Sequence, residues 1–414
     1  MTVALLKYYE RNQQKSQTKF MKTGYSIRTW RMRLVCPEPI WLDRTEEYFQ
    51  NVVEFYYHLL RQHEELWNSS LFDIQRSLEL LTLAGRDGRQ PTNPLPMGKV
   101  PVYLRRAAIN KASATVKSTQ ELQSGFPEKL EAKVTFFKGM YSDLTDKSIC
   151  LKLWNGEKWI WTDCNLKGRP FPQDGQLMSP TLVKEGRRYL LNIPVKQENS
   201  DARTAKERMA EGTNLCSVRF TNTDTFAVCC ILDEQGNQLA VHNCRGGDAY
   251  RHRCKLLETR IQKSRPNTVG DNSPQPNRKY YMHLKNLSEH YAHQVSREIL
   301  NFCKENQAGI IVLPDYDQNF TRMAMVKSGN FSPLHLSSKI RTNLQYKAWA
   351  EGILVLETRT DGLKDKCAIC GGKVRRKGNE FLCENGHQGN RFLNDARNLG
   401  RKCQDSFFRG SRTK

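Results

Sequence analysis

The sequence predicts an α/β C-terminal domain with an inserted zinc ribbon, preceded by a β-barrel that carries an inserted helical lobe. Three observations lead there. Strand-like runs flank one long amphipathic segment after Asn214. Two Cys/His pairs with the spacing of metal knuckles sit near the C-terminus. A β-rich run at 25–35 and a strand-rich stretch at 131–195 bracket segments of helical period.

Residues 25–35 (YSIRTWRMRLV) alternate and read as a strand. Asp43, with Glu46 at capping-box spacing, is expected to open a helix. Phe49, Val52, Val53, Tyr56, Leu59 and Leu60 then share one helical face. A second helix is expected over 71–83 and, after a Gly/Pro/Asn-rich loop, a basic one over 102–122. ICLKLW and EKWIW flank Asn155-Gly156, a hairpin signal with a two-residue turn, and RRYLLNIPV is a further strand. Residues 196–211 are polar and read as a linker.

After Asn214 come a strand (LCSVRF) and a hairpin (DTFAVCCIL, DEQGN, QLAVH). A Pro/Asn-rich loop spans 263–279. The helix at 280–306 follows from Leu284, Leu287, Tyr291, Val295, Ile299 and Phe302 at the 3.6 period. IIVL is a short buried strand, 317–338 a polar loop, 344–351 a helix and ILVLET the next strand. Cys367 and Cys370 precede Cys383 and His387, and the stretch between them is too polar for a core of its own. Four such ligands suit one tetrahedral Zn²⁺, which would hold the segment together. Cys403 is the nearby spare ligand.

Lys and Arg number 65 against 43 Asp and Glu, a formal charge of +22. That surplus favours a polyanionic partner, nucleic acid being the commonest, although a basic ribosome-associated protein would carry it too. Residues 1–35 hold eight Lys/Arg against Glu10, and 397–414 hold six against Asp405, so both ends read as basic arms. No stretch of 18 apolar residues exists, which excludes a membrane-spanning helix, and no signal-like run opens the chain. Thirteen Cys, mostly isolated in apolar runs, read as reduced, buried thiols of a cytosol.

The order of hairpin, long helix ending ENQAG, IIVLPDY, QYKAWAEGILV, CAICGG and NDARNLG resembles the TnpB-type RNA-guided nucleases and the miniature type V CRISPR effectors. The resemblance implies a RuvC-like (RNase H-like) domain over 212–361, a zinc ribbon over 362–391 and a closing helix with basic tail over 392–414. Ahead of a linker at 201–211 it implies a wedge strand and basic arm (1–42), a helical recognition lobe (43–125) and wedge barrel strands (126–200). It also implies a structured guide RNA and target double-stranded DNA as partners. The candidate contacts are Arg105, Arg106, Lys111, Lys117, Arg219, Arg278, Lys279, Lys285, Arg341, Lys347 and Arg397.

Members of that family place three metal-binding acids at G-I-D-L-G, I-V-x-E-D-L and D-x-N-A-A-x-N. Arg219, Pro314 and Phe392 stand at these positions here. None binds Mg²⁺ through a side chain, so Mg²⁺ is not expected, and Arg219 is expected to meet a phosphate. Asp224, Asp315 and Asp395 are the fallback carboxylates. Asp315 is expected on the opposite strand face, Asp395 rotated away along its helix and Asp224 in or beyond the turn. The expected function is RNA-guided DNA binding without cleavage, for transcriptional control or recruitment of a transcription or transposition partner. The alternatives are an RNA-guided Mg²⁺-dependent endonuclease with relocated carboxylates and a zinc-containing DNA-binding factor without RNA.

Overall fold

The computed structural model describes residues 24–85, 87–172, 174–199, 201, 203–263, 277–316 and 333–409. The expected arm before residue 24, the tail after 409 and most of the two long loops lie outside them. The chain divides into two compact units. One is Ile27–Gln197, and the other comprises the described residues of Met1–Ser26 and Glu198–Lys414. No helix among the described residues is long and apolar enough to cross a membrane.

In the first unit, β1 (Tyr25–Val35) leads into α1 (Pro39–Gln62), α2 (Leu71–Thr82) and α3 (Val102–Glu121). The strands β2 (Tyr141–Ser142), β3 (Ser148–Trp154), β4 (Trp159–Lys167), β5 (Gln176–Leu177), β6 (Thr181–Glu185) and β7 (Arg188–Glu198) follow. The six residues assigned to one face of α1 are all buried there. Its start differs from expectation. Pro39 supplies the helical φ of a first position, and Glu38 before it is kept out of the helical region. Asp43 thus lies inside the helix and pairs with Lys184 at 2.5 Å. The Asn155-Gly156 turn is longer than two residues: Trp154 pairs with Trp159, and Asn155 Oδ1 accepts from the amides of Glu157 and Lys158. The sheet runs β2-β3-β4-β1-β7-β5, with β6 also on β7. Residues 134–136 lie alongside the start of β6, where Phe136 N donates to Pro180 O and Leu182 N to Val134 O, both at 2.8 Å.

In the second unit, α4 (Ala205–Ala210) precedes β8 (Leu215–Phe220), β9 (Thr225–Leu232) and β10 (Gln238–Arg245). Next come α5 (Gly247–Lys263), α6 (Arg278–Glu305), β11 (Ile310–Asp315), α7 (Leu336–Trp349) and β12 (Leu354–Arg359). The sheet order is β10-β9-β8-β11-β12. β8 to β10 form an antiparallel meander, and β11 lies parallel to both β8 and β12. Period-two alternation splits β8 and β11 between two cores. Cys216, Val218, Ile311 and Leu313 face α5, α6 and α7. Leu215, Ile310 and Val312 face α4 and α8 (Arg391–Arg409). A Cβ on Gly400 of α8 would sit 2.5 Å from Leu232 Cδ1, so the missing side chain lets α8 approach the sheet closely. β13 (Val374–Lys377), β14 (Glu380–Cys383) and β15 (Gln388–Asn390) make a small sheet inserted before α8. α7 starts eight residues before the expected 344, within what read as loop.

The expected linker is folded. Thr204 and Glu207 form a capping box that starts α4. Arg208 within it is fully buried. Its guanidinium donates to the carbonyls of Gly309 (2.7 Å), Gly352 (2.6 Å) and Asp201 (2.8 Å), joining the loops that precede β11 and β12. Arg208→Met is expected to lower unfolding free energy by about 3–5 kcal/mol, because those carbonyls lose their donor in the interior. Urea unfolding checks this. Asp201, facing Arg203 and Arg208, is held down at about 2. A carboxylate depressed on folding stabilises above its unfolded pKa of ~4, and that contribution is lost as pH falls towards about 2. The Asp201→Asn variant is therefore expected to show a flatter loss of stability over this window.

Candidate functional site

Alternation aims Arg219 of β8 and Pro314 of β11 at the α8 side of the sheet, the side of Leu215, Ile310 and Val312. Both line one small cavity, with Asp395, Thr360, Leu363, Lys364 and Leu399. Phe392 does not line it. The ring is buried and carries the Arg391 guanidinium 4.6 Å above its centroid.

Asp395 corrects the expectation that it turns away. Three helical residues rotate a side chain by ~300°, which leaves it only ~60° from the direction of Phe392 and one turn along. The carboxylate is 2 % exposed. Arg219 Nε lies 3.3 Å from Oδ2, and Arg376 of β13 closes on Oδ1. Arg219 is thereby withdrawn from the expected phosphate contact. Its Nη1 also donates to the Tyr316 hydroxyl at 2.5 Å, where burial pushes the phenol pKa up. A second carboxylate lies on the other face of the same sheet, the side of Leu313 and α7. Glu357 of β12, opposite Leu313, meets Arg341 at 3.4 Å, and Arg341 also donates to Pro314 O at 2.8 Å. Asp315 is exposed on the opposite face, as expected. Asp224 accepts from the Asp248 amide near the start of α5 and does not line the cavity of Asp395.

This donor set does not fit Mg²⁺. Two guanidinium groups already share the single buried carboxylate in the cavity, leaving a local charge of about +1, with Lys364 and Arg391 close by. At ~4 Å and an effective dielectric of ~20 a unit charge repels a divalent ion by roughly 8 kcal/mol. An octahedral ion also needs several carboxylate and water oxygens.

The Cys/His pairs do converge. The donor atoms of Cys367, Cys370, Cys383 and His387 all lie within 4.8 Å of one another. Ile369 N points at Cys367 Sγ and Asn385 N at Cys383 Sγ, each 3.4 Å away, as amides do around a thiolate ligand. Buried His387 Nδ1 has no hydrogen-bond partner. An orphaned imidazole nitrogen beside three thiols fits a tetrahedral zinc-class ion. The NDARNLG segment ties this ribbon to α8: Asn394 receives Ala368 N at 2.7 Å and donates to Lys366 O, and Asn398 donates to Leu363 O and Lys366 O.

The expected nucleic-acid contacts divide by exposure. Lys111, Arg278, Lys279 and Lys285 are exposed. Arg106 is half-exposed and shares Glu79 with Arg105. Arg105 is a correction: it faces the α2 side of α3, is 7 % exposed and serves as an internal ion-pair partner. Lys117 donates to Ser69 O. Lys347 bonds Ser296 Oγ at 2.7 Å, and burial brings its pKa down to about 8. Arg397 is lowered by burial as well.

A family model described as the Aq_aa04 family matches residues 26–155. No curated protein matches the chain. Among solved structures, a Cas12f1–sgRNA–target DNA complex matches with a TM-score of 0.53 at 12 % identity, covering 91 % of this chain and 99 % of that one. The mini-RNA-guided endonuclease CRISPR-Cas_phi3 matches at 0.50 and 9 % identity, over 94 % and 96 %. C2c1 of Alicyclobacillus acidoterrestris with single-guide RNA matches at 0.50 and 9 % identity, over 87 % and 70 %. The chain has the fold of the type V CRISPR effectors, as the order of its motifs implies.

Proposed function

We propose that this protein binds a structured guide RNA, is directed by it to double-stranded DNA, and holds that DNA without cutting it. The observation that carries the proposal is the buried Asp395 carboxylate clasped by Arg219 and Arg376, where related domains gather acids around metal ions. Two fixed cations replace the charge of the metals but offer neither a Lewis acid nor an activated water. The similar solved structures are complexes with guide RNA and target DNA, or an RNA-guided endonuclease, which supports the choice of partners. Base pairing would supply sequence specificity, and the protein would grip the RNA by shape and charge. Zinc in the ribbon would be structural. Holding an opened duplex suits blocking transcription or recruiting a transcription or transposition partner.

A defined RNA is expected to copurify. Replacing Arg278, Lys279 and Lys285 together with alanine should weaken its binding by roughly 10–100-fold near physiological salt. The same variant should lower the slope of log affinity against log salt by about 2–3, one unit or less per lost phosphate contact. Recovery of random cellular fragments alone, or an unchanged slope, would count against a dedicated guide.

A further inference from the structure

We propose that His242, Cys244 and Glu298 form a second metal site, for a divalent ion of zinc's class, separate from the ribbon. His242 and Cys244 are two residues apart on β10 and so present side chains to the same face. Glu298 of α6 meets them there. The three donor atoms lie within 4.8 Å of one another, the same bound that describes the four ribbon ligands. Thiolate, imidazole and carboxylate are the three side-chain donors that zinc accepts at ~2.0–2.3 Å.

The burial is graded as an open site requires. Cys244 is fully buried and forms the floor. The side chains of His242 and Glu298 are 35 % and 31 % exposed and form the mouth, which gives an ion a path in and leaves the fourth position to water. The Phe302 ring packs 5.3 Å from the imidazole and fixes its plane. His242 Nε2 and Glu298 Oε1 are 2.6 Å apart, a hydrogen bond that holds both donors in register without metal. Ligation would open this gap to ~3.3 Å, the separation of two ligands ~2.0 Å from a tetrahedral ion. Half-exposed side chains make that shift by small rotations. The imidazole and thiol would give up their protons to solvent on binding. The bound ion would clip β10, the edge strand of its sheet, to α6.

The test is elemental analysis of full-length protein purified with Zn²⁺ and dialysed without chelator. About two ions per chain are expected in the unmodified protein. The His242→Gln/Glu298→Gln variant keeps most of the volume and a hydrogen bond, and should hold about one. A Cys370→Ser/Cys383→Ser variant should lose the other ion. A Co²⁺-loaded form of that ribbon variant should still show a thiolate-to-cobalt absorption band, which Cys244→Ser abolishes. One ion per chain that only the ribbon variant removes would overturn the proposal and leave His242–Glu298 as an ion pair. One ion that only the His242/Glu298 variant removes would instead overturn the ribbon assignment.

Discussion

Replacing Asp395 with alanine is expected to lower unfolding free energy by about 3–5 kcal/mol, because it strands two guanidinium groups that the fold has withdrawn from water. Asp395 is 2 % exposed, and the Arg219 side chain is 12 % exposed. The Arg376 side chain is 22 % exposed, so most of the cost falls on Arg219. Melting temperature should fall by roughly 10 °C for a unit of this size. A double variant, Arg219→Met/Asp395→Leu, should recover part of the loss, since removing both partners spares the desolvation of an unpaired charge. A fall of less than about 1 kcal/mol in the single variant would mean that the pair is solvated like a surface bridge.

Removing the proposed zinc is expected to have the larger local effect. The ribbon's own apolar cluster is Cys367, Phe381 and Cys383 with Val374 packed against it. That is too little to offset the ordering of more than 20 residues at ~1–2 kcal/mol each. Metal binding in such modules supplies ~10–16 kcal/mol. Chelation, or Cys383→Ser, should bring amide exchange in 367–390 close to solvent rates while β8, β9 and β11 stay protected. Arg376 would leave with the ribbon, so Asp395 should lose one of its two cations at the same time. A metal-free protein with a protected ribbon would contradict the assignment.

Much of this was legible because it rests on local pattern. The buried face of α1, the period of α6 and the pairing of Cys367, Cys370, Cys383 and His387 follow from spacing alone. What escaped depends on distant partners. Arg208 sits in a polar run and became interior only through the carbonyls of Gly309 and Gly352, more than 100 residues away. The capping box at Thr204 and Glu207 was the available signal for α4. Asp395 is hidden from a simple count along the chain, because three helical residues nearly restore the direction. Arg105 follows the same logic in reverse: a basic residue on a basic helix is turned inward by Glu79 of α2. α5 went unassigned because its buried apolar positions, Tyr250, Cys254 and Ile261, are sparse among charges.

The most direct test is a guide-loaded plasmid assay on the unmodified protein in Mg²⁺ and in Mn²⁺. The expected result is guide-dependent protection of the target site with both strands intact. Cutting that requires the guide, and that disappears in an Asp395→Ala or Asp315→Ala variant still able to bind the site, would contradict it and establish a nuclease with relocated carboxylates.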